Sequence, residues 1–203
     1  MNGTILANRS AADRNATDFY PTPPDVTVAL LDFLERQGHL DTSHIVWEPA
    51  CGTGSMAEVM KWRDYDVFCT DLHPTGYGYN TAIDFLTYSP PVDYDWIITN
   101  PPFSQAEKFI RRALELGSSC AFLLKSQFWH AKSRLTLFRD HPPAYVLPLT
   151  WRPDFLQGAK GGSPTMECLW TVWLGTDCIT EYHPLPRPGF HEIAPPENPF
   201  VEV

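Results

Sequence analysis

Short apolar runs of β-forming residues alternate along the chain with stretches whose apolar residues recur every three or four positions. The short runs predict buried strands, and the three-to-four spacing predicts amphipathic helices. We predict strands at 45–47, 66–71, 94–99, 120–124, 142–149 and 168–174. We take the last two as the sixth and seventh strands of a sheet. Helices are predicted at 26–34, 55–60, 106–116 and 132–138. Glycines at 38 and 117 are expected to end the first and third helices. This alternation predicts an α/β fold.

The chain has 203 residues and 43% hydrophobic content, which suits one well-buried domain. We predict a flexible arm over 1–18, one domain over 19–175, and a proline-rich extended tail over 176–203. No apolar stretch reaches the roughly 20 residues needed to cross a bilayer, so we expect a soluble, cytoplasmic protein. The five cysteines lack paired close spacing and predict neither a zinc site nor a disulfide framework.

The net charge is −9, which by itself disfavours a polyanionic partner. The charge is unevenly distributed, however. Residues 121–165 contain six basic and two acidic residues, a local charge of +4, whereas the remainder carries −13. This segment could face phosphates, or it could be an ordinary solvated loop.

A glycine turn follows the first predicted strand, in the run Ile45–Met56. Strand, tight turn and helix form the first unit of a Rossmann-like fold. We expect Gly52 and Gly54 to let the backbone approach a ligand closely. Glu48 would repel a pyrophosphate at the strand end, so an ammonium or sulfonium ligand fits better.

A second polar corner, Asn100-Pro101-Pro102-Phe103, follows the strand at 94–99. In open α/β sheets, ligands bind at the carboxyl ends of the strands. The Asn100 amide oxygen and the Pro101 carbonyl can each accept an N–H of an exocyclic amine, while Phe103 covers the ring of a flat base. The alternative is a plain strand-to-turn connection.

These stretches resemble one known family. Asn-Pro-Pro-Phe at 100–103 resembles the signature of S-adenosylmethionine-dependent amino methyltransferases, especially the DNA adenine-N6 enzymes. Glu-Pro-Ala-Cys-Gly-Thr-Gly at 48–54 resembles their cofactor loop, and Tyr-Pro-Thr-Pro at 20–23 resembles the amino-terminal motif of the gamma arrangement. The similarity is to compact enzymes encoded by bacteria and their phages.

The resemblance implies a Rossmann-like class I methyltransferase fold, with a seven-stranded, mostly parallel sheet and helices on both faces. It makes 19–175 the catalytic domain and assigns catalysis to Asn100, Pro101, Pro102 and Phe103. It also implies an S-adenosylmethionine site at Tyr20, Thr22, Glu48, Ala50, Gly52, Gly54, Asp84 and Phe85. The Asp-Phe-Leu element at 84–86 would hold the cofactor adenine, although a buried phenylalanine in a turn is common.

Asp71 ends the second predicted strand about twenty residues after the glycine turn, where a ribose diol would need an acceptor. The alternative is that Asp71 caps the turn that follows.

Substrate contacts are predicted where bases and aromatics interleave after a strand end, and in the loop 151–167, which is similar to the family's substrate loop. The candidates are Lys125, Trp129, Arg134, Trp151, Arg152 and Phe155. Trp129 could equally belong to the core.

The sequence therefore predicts an enzyme that methylates adenine N6 in DNA, taken as single strands or with the base flipped out of a duplex. Three alternatives stay open: adenine-N6 methylation of RNA, glutamine-N5 methylation of a protein, and a non-catalytic nucleic-acid-binding module of the same fold.

Overall fold

The computed structural model describes residues 20–78, 82–155, 164–175 and 179–193. A seven-stranded sheet has the strand order β2-β1-β3-β4-β6-β5-β7. The strands are β1 (Ile45–Glu48), β2 (Asp66–Cys69), β3 (Trp96–Thr99), β4 (Ser119–Lys125), β5 (Tyr145–Pro148), β6 (Cys168–Trp173) and β7 (Glu181–Tyr182). The helices are α1 (Pro24–Arg36), α2 (Ser55–Trp62), α3 (Ala106–Leu116), α4 (Leu135–Asp140) and α5 (Phe190–Ile193).

The sheet is mostly parallel, as predicted. Strands β2, β1, β3 and β4 run parallel to one another, and so do β5 and β7. Only β6 runs the other way, between β4 and β5. In the sheet, β2 lies on one side of β1 and β3 lies on the other, so the strand order reverses between β1 and β3. That reversal is a topological switch point, where open α/β sheets bind ligands.

The strand prediction was wrong in some bounds and in the numbering of the last strands. β2 ends at Cys69 rather than at residue 71, and β3 begins at Trp96 rather than at residue 94. The strands predicted as sixth and seventh are the fifth and sixth along the chain, and the seventh, β7, belongs to the tail. Both residues of β7 are exposed at the sheet edge, so no buried apolar pattern marks it. The tail is nevertheless attached to the domain, because Leu185 is buried and bridges to Leu149.

Two hydrophobic clusters cover the two faces of the sheet. In β4, Ala121 and Leu123 belong to the cluster that contains α1 and α2, while Phe122 and Leu124 belong to the one that contains α3. This alternation follows from the two-residue period of a strand. Helices therefore cover both faces, as predicted.

The predicted helix ends agree with the structure. Gly38 and Gly117 both have positive φ, a conformation that glycine adopts without strain, and each follows the end of its helix. The helix predicted at 132–138 is divided: residues Lys132–Arg134 form a 3₁₀ turn before α4.

The predicted arm 1–18 lies outside the described residues. Within the described ranges, no helix is both long and apolar enough to span a membrane.

Candidate active site

A cavity of about 490 Å³ opens at the switch point between β1 and β3. Residues from both predicted loops line it, because β1 and β3 are adjacent and parallel. The predicted residues around it are Tyr20, Thr22, Glu48, Ala50, Asp71, Asp84, Phe85, Asn100 and Pro102. The glycine turn and the proline corner, about fifty residues apart in sequence, therefore share one cavity.

The amide of Asn100 has a fixed orientation at the end of β3. Its Nδ2 donates one hydrogen bond to the Tyr20 carbonyl oxygen at 3.1 Å and another to Thr22 Oγ1 at 3.0 Å. Its Oδ1 is buried and has no hydrogen-bond partner. Buried polar atoms are normally paired, so an unpaired acceptor on a residue that lines the cavity would suit a ligand with a hydrogen to donate.

Phe103 stands beside this cavity rather than in its lining. Its ring centroid lies 5.5 Å from that of Tyr20, and Lys125 Nζ lies 3.9 Å from the Phe103 centroid. Phe103 and Lys125 line a neighbouring cavity of about 170 Å³. Pro101 is buried at the turn of the corner.

Glu48, at the end of β1, is a buried carboxyl group, 2% exposed. Its Oε2 has no hydrogen-bond partner. Burial is the main cause that raises the pKa of Glu48 well above its usual range, and the neighbouring Cys51 and Asp71 raise it further, while the Ala57 backbone N–H and Lys61 oppose the shift. A cationic ligand group next to Oε2 would favour the ionised form.

The raised pKa of Glu48 predicts that, without ligand, the Glu48→Gln variant is more stable than the wild type and that this difference grows as pH rises. The pKa of this carboxyl is higher in the folded state than in the unfolded state, where it is about 4.3. Its contribution to stability is complete at pH values below the unfolded pKa and is lost as pH rises through the folded pKa. The melting temperatures of wild type and variant should converge in acid and separate toward neutral pH, by about 2–4 °C per kcal/mol of stability difference. A constant difference across pH would contradict the assignment.

The two glycines of the turn have structural roles. Neither Gly52 nor Gly54 is among the residues that line the cavity. The Gly52 N–H donates to Asp71 Oδ2 at 2.8 Å, which ties the turn to the end of β2. Gly54 has φ of 87°, and a Cβ there would overlap the ring of Tyr77. Glycine is therefore needed at 54 for the backbone conformation and for Tyr77, and the close approach of the turn to a ligand stays a prediction.

Asp71 serves the structural role given above as the alternative, and it also lines the cavity. Its Oδ1 accepts a hydrogen bond from the His73 N–H at 2.7 Å, so it caps the turn. Its position in the lining keeps the ribose contact as a prediction.

Asp84 and Phe85 lie on the same wall of the cavity. Asp84 is exposed, and its Oδ1 accepts from the Leu86 N–H at 3.0 Å. Phe85 is buried, with its ring centroid 4.8 Å from Phe109 and 5.0 Å from Trp47. It therefore belongs to the core and borders the cavity at the same time, and Phe109, which the sequence analysis did not single out, is its neighbour in the lining.

The predicted substrate residues are less closely grouped. Trp129 is half-buried and stacks on Phe138, with ring centroids 4.0 Å apart, and its contact with substrate stays a prediction. Arg134 donates to the Phe128 carbonyl at 3.0 Å and borders the smaller cavity. Arg152 is exposed and pairs with Glu167 at 2.8 Å.

Two aromatic candidates lie closer to the domain interior. Phe155 is buried, with its ring centroid 6.1 Å from that of Tyr20, and Trp151 packs on the same core. Residues 156–163 of the predicted loop lie outside the described ranges. Among the residues that the structure describes, no group of three or more His, Cys, Asp or Glu could hold a metal ion.

The chain has the Rossmann-like fold of the class I S-adenosylmethionine-dependent methyltransferases. A protein from Listeria monocytogenes described as a member of that class aligns with a TM-score of 0.57 and 13% identity, over 87% of this chain and 68% of that one. A type I restriction-modification methyltransferase subunit from Streptococcus thermophilus aligns with a TM-score of 0.58 and 13% identity, over 84% of this chain and 48% of that one.

A dimethyladenosine transferase from Plasmodium falciparum also aligns, with a TM-score of 0.54 and 14% identity, over 77% of this chain and 63% of that one. The restriction-modification subunit named above is longer, and this chain spans about half of its length. A scan against models of protein families and a search of the curated proteins both give no match.

Proposed function

We propose that this protein is an S-adenosylmethionine-dependent methyltransferase that modifies the N6 amine of adenine in DNA. The observation that carries the proposal is a pair of unpartnered buried oxygens, Asn100 Oδ1 and Glu48 Oε2, on two residues that line the same cavity. One suits an N–H donor and the other suits a cation. A methyl acceptor that is an amine would pair with Asn100 Oδ1, and a methyl donor that carries an ammonium group would pair with Glu48 Oε2.

The residues present fit the cofactor. Glu48 would hold the ammonium of its methionine part, Asp71 the ribose hydroxyls, and Asp84 with Phe85 the adenine. S-adenosylmethionine supplies an electrophilic methyl group on a sulfonium. Orientation inside a cavity is the protein's main contribution to such a transfer, since it replaces a bimolecular encounter.

The acceptor side relies on hydrogen-bond acceptors rather than on a base. The lone pair of adenine N6 is delocalised into the ring. Acceptance of its two N–H bonds by Asn100 Oδ1 and the Pro101 carbonyl would help the nitrogen become tetrahedral. The same oxygens would stabilise the positive charge that develops there, an effect of preorganised dipoles, and the methylated nitrogen would then release one N–H proton to solvent.

An adenine in a duplex must leave the stack before its amine can enter the cavity, which costs a few kcal/mol. Phe103 follows Asn100 by three residues, and its ring centroid lies 5.5 Å from that of Tyr20, whose carbonyl accepts from Asn100. Stacking on an aromatic side chain contributes about 1–3 kcal/mol per base. The aromatic corner could thus offset most of the cost of flipping.

DNA is favoured over a protein substrate by the charge around this corner. Lys125 lies over the ring of Phe103 and Arg134 borders the same small cavity, within the segment of local charge +4. The structural neighbours named above include a restriction-modification methyltransferase subunit, which supports DNA, and a dimethyladenosine transferase, which supports adenine.

The substrate class is tested by incubating the protein with methyl-labelled S-adenosylmethionine and, separately, DNA, RNA and a protein extract. We expect label in DNA. Label only in RNA or only in protein would replace the substrate while retaining the enzyme. Cofactor binding without transfer to any fraction would support the non-catalytic module.

A further inference from the structure

The Tyr-Pro-Thr-Pro segment contacts the catalytic corner directly, although the resemblance assigned it to the cofactor. Tyr20 contributes its carbonyl oxygen and Thr22 its hydroxyl, and both accept hydrogen bonds from Asn100 Nδ2. From these contacts we infer that Tyr20 and Thr22 are positioning residues that fix which end of the Asn100 amide faces the acceptor. The inference rests on the proposed function.

The orientation follows from the Tyr20 carbonyl, and the Thr22 hydroxyl, which can donate or accept, provides a second acceptor for the same NH₂. A carbonyl oxygen can only accept, so the Asn100 group that faces Tyr20 must be the NH₂. If the amide were reversed, its oxygen would meet the Tyr20 oxygen. Both N–H bonds of Nδ2 are thereby used, and Oδ1 is the end left without a partner. The site can accept N–H donors such as an amine, and it disfavours a carbonyl oxygen at the same position.

The segment that holds the amide is itself held rigidly. Tyr20 and Thr22 each precede a proline, which confines their backbones to extended conformations. The helix that follows is anchored at its first turn, where the Trp170 indole N–H donates to the Val26 carbonyl at 3.0 Å. Arg187 from the tail also pairs with the buried Asp25 at 2.8 Å. Thr22 is 3% exposed, so water has little access to replace it.

The first test replaces Thr22 with valine, which has the same shape and lacks the acceptor, and with serine, which keeps it. Loss of one buried hydrogen bond should lower kcat about tenfold in Thr22→Val, with the cofactor Kd changed by no more than about twofold. Thr22→Ser should restore most of the rate. A raised cofactor Kd with unchanged kcat would overturn the inference and return Thr22 to the cofactor site, and no change in either would also overturn it.

The second test is Asn100→Asp, which remains informative if Thr22→Val does not fold. An ionised carboxylate would face the Tyr20 carbonyl oxygen and be repelled. A protonated one could donate to Tyr20 with its hydroxyl and accept the substrate N–H with its other oxygen. Burial and the nearby carbonyl should raise the pKa of the introduced carboxyl.

The ratio of variant to wild-type kcat should therefore rise as pH falls, by about tenfold per pH unit above that pKa. Taking the ratio removes titrations that both proteins share, including that of Glu48. A ratio that does not depend on pH would overturn the inference. Methylation by the wild type is measured in the same series, so a failure of the proposed function would be recognised separately.

Discussion

Asn100→Ala is expected to lose methyl transfer almost completely while it still binds S-adenosylmethionine. The variant removes the unpartnered Oδ1 that would accept the substrate N–H, and loss of one such preorganised group in other enzymes lowers kcat about 10²–10³-fold. Asn100 is not among the residues expected to hold the cofactor. The measurement is single-turnover transfer to DNA together with calorimetric titration of the cofactor.

Gln37→Ala is the matched control, since it removes an exposed amide at the end of α1. Asn100→Ala also leaves the Tyr20 oxygen and Thr22 Oγ1 without their donor, at about 1–3 kcal/mol for each buried group left unpaired. The melting temperature should therefore be recorded for both variants. A folded Asn100→Ala protein with wild-type turnover would remove Asn100 from the mechanism.

Glu48→Gln is expected to weaken cofactor binding and to abolish its dependence on pH. A hydrogen bond to a charged group contributes about 1.5–3 kcal/mol, so the affinity should fall about 10- to 100-fold. Because the pKa of Glu48 is raised by burial, the wild type must release a proton when an ammonium binds at lower pH. Wild-type affinity should then increase with pH up to that pKa.

Calorimetry in two buffers with different ionisation enthalpies detects this proton. The apparent binding enthalpy of the wild type should differ between the buffers, and that of Glu48→Gln should not. Glu115→Gln removes an exposed carboxylate from α3 and should behave as the wild type. Equal affinity of Glu48→Gln and wild type would show that this carboxyl does not hold the ammonium.

The elements around the site could be predicted because their signals are local. β1 and β3 are short, mostly buried runs with a polar side chain at the carboxyl end, Glu48 as the last residue of β1 and Asn100 directly after β3. The glycines after α1 and α3 end those helices as expected. Their parallel pairing follows from strand–helix alternation. β7 was missed because two exposed edge residues carry no such signal.

Contacts between distant residues could not be predicted in the same way. The hydrogen bonds from Asn100 to Tyr20 and Thr22 join residues about eighty positions apart, and the only local sign was the proline after each residue. The steric reason for Gly54 could not be predicted either, because the ring of Tyr77 over the turn is a tertiary contact. The sequence around Trp129 is equally compatible with stacking on a base and with stacking on Phe138, the contact in the structure.

We propose that an adenine amine meets the methyl donor in the cavity that Asn100 and Glu48 share. The most direct measurement is mass spectrometry of the nucleosides released from DNA after incubation with the protein and S-adenosylmethionine. We predict N6-methyl-2′-deoxyadenosine in the wild-type reaction and none with Asn100→Ala. A methyl group on a ring carbon or oxygen, on cytosine alone, or on no nucleoside would contradict the account.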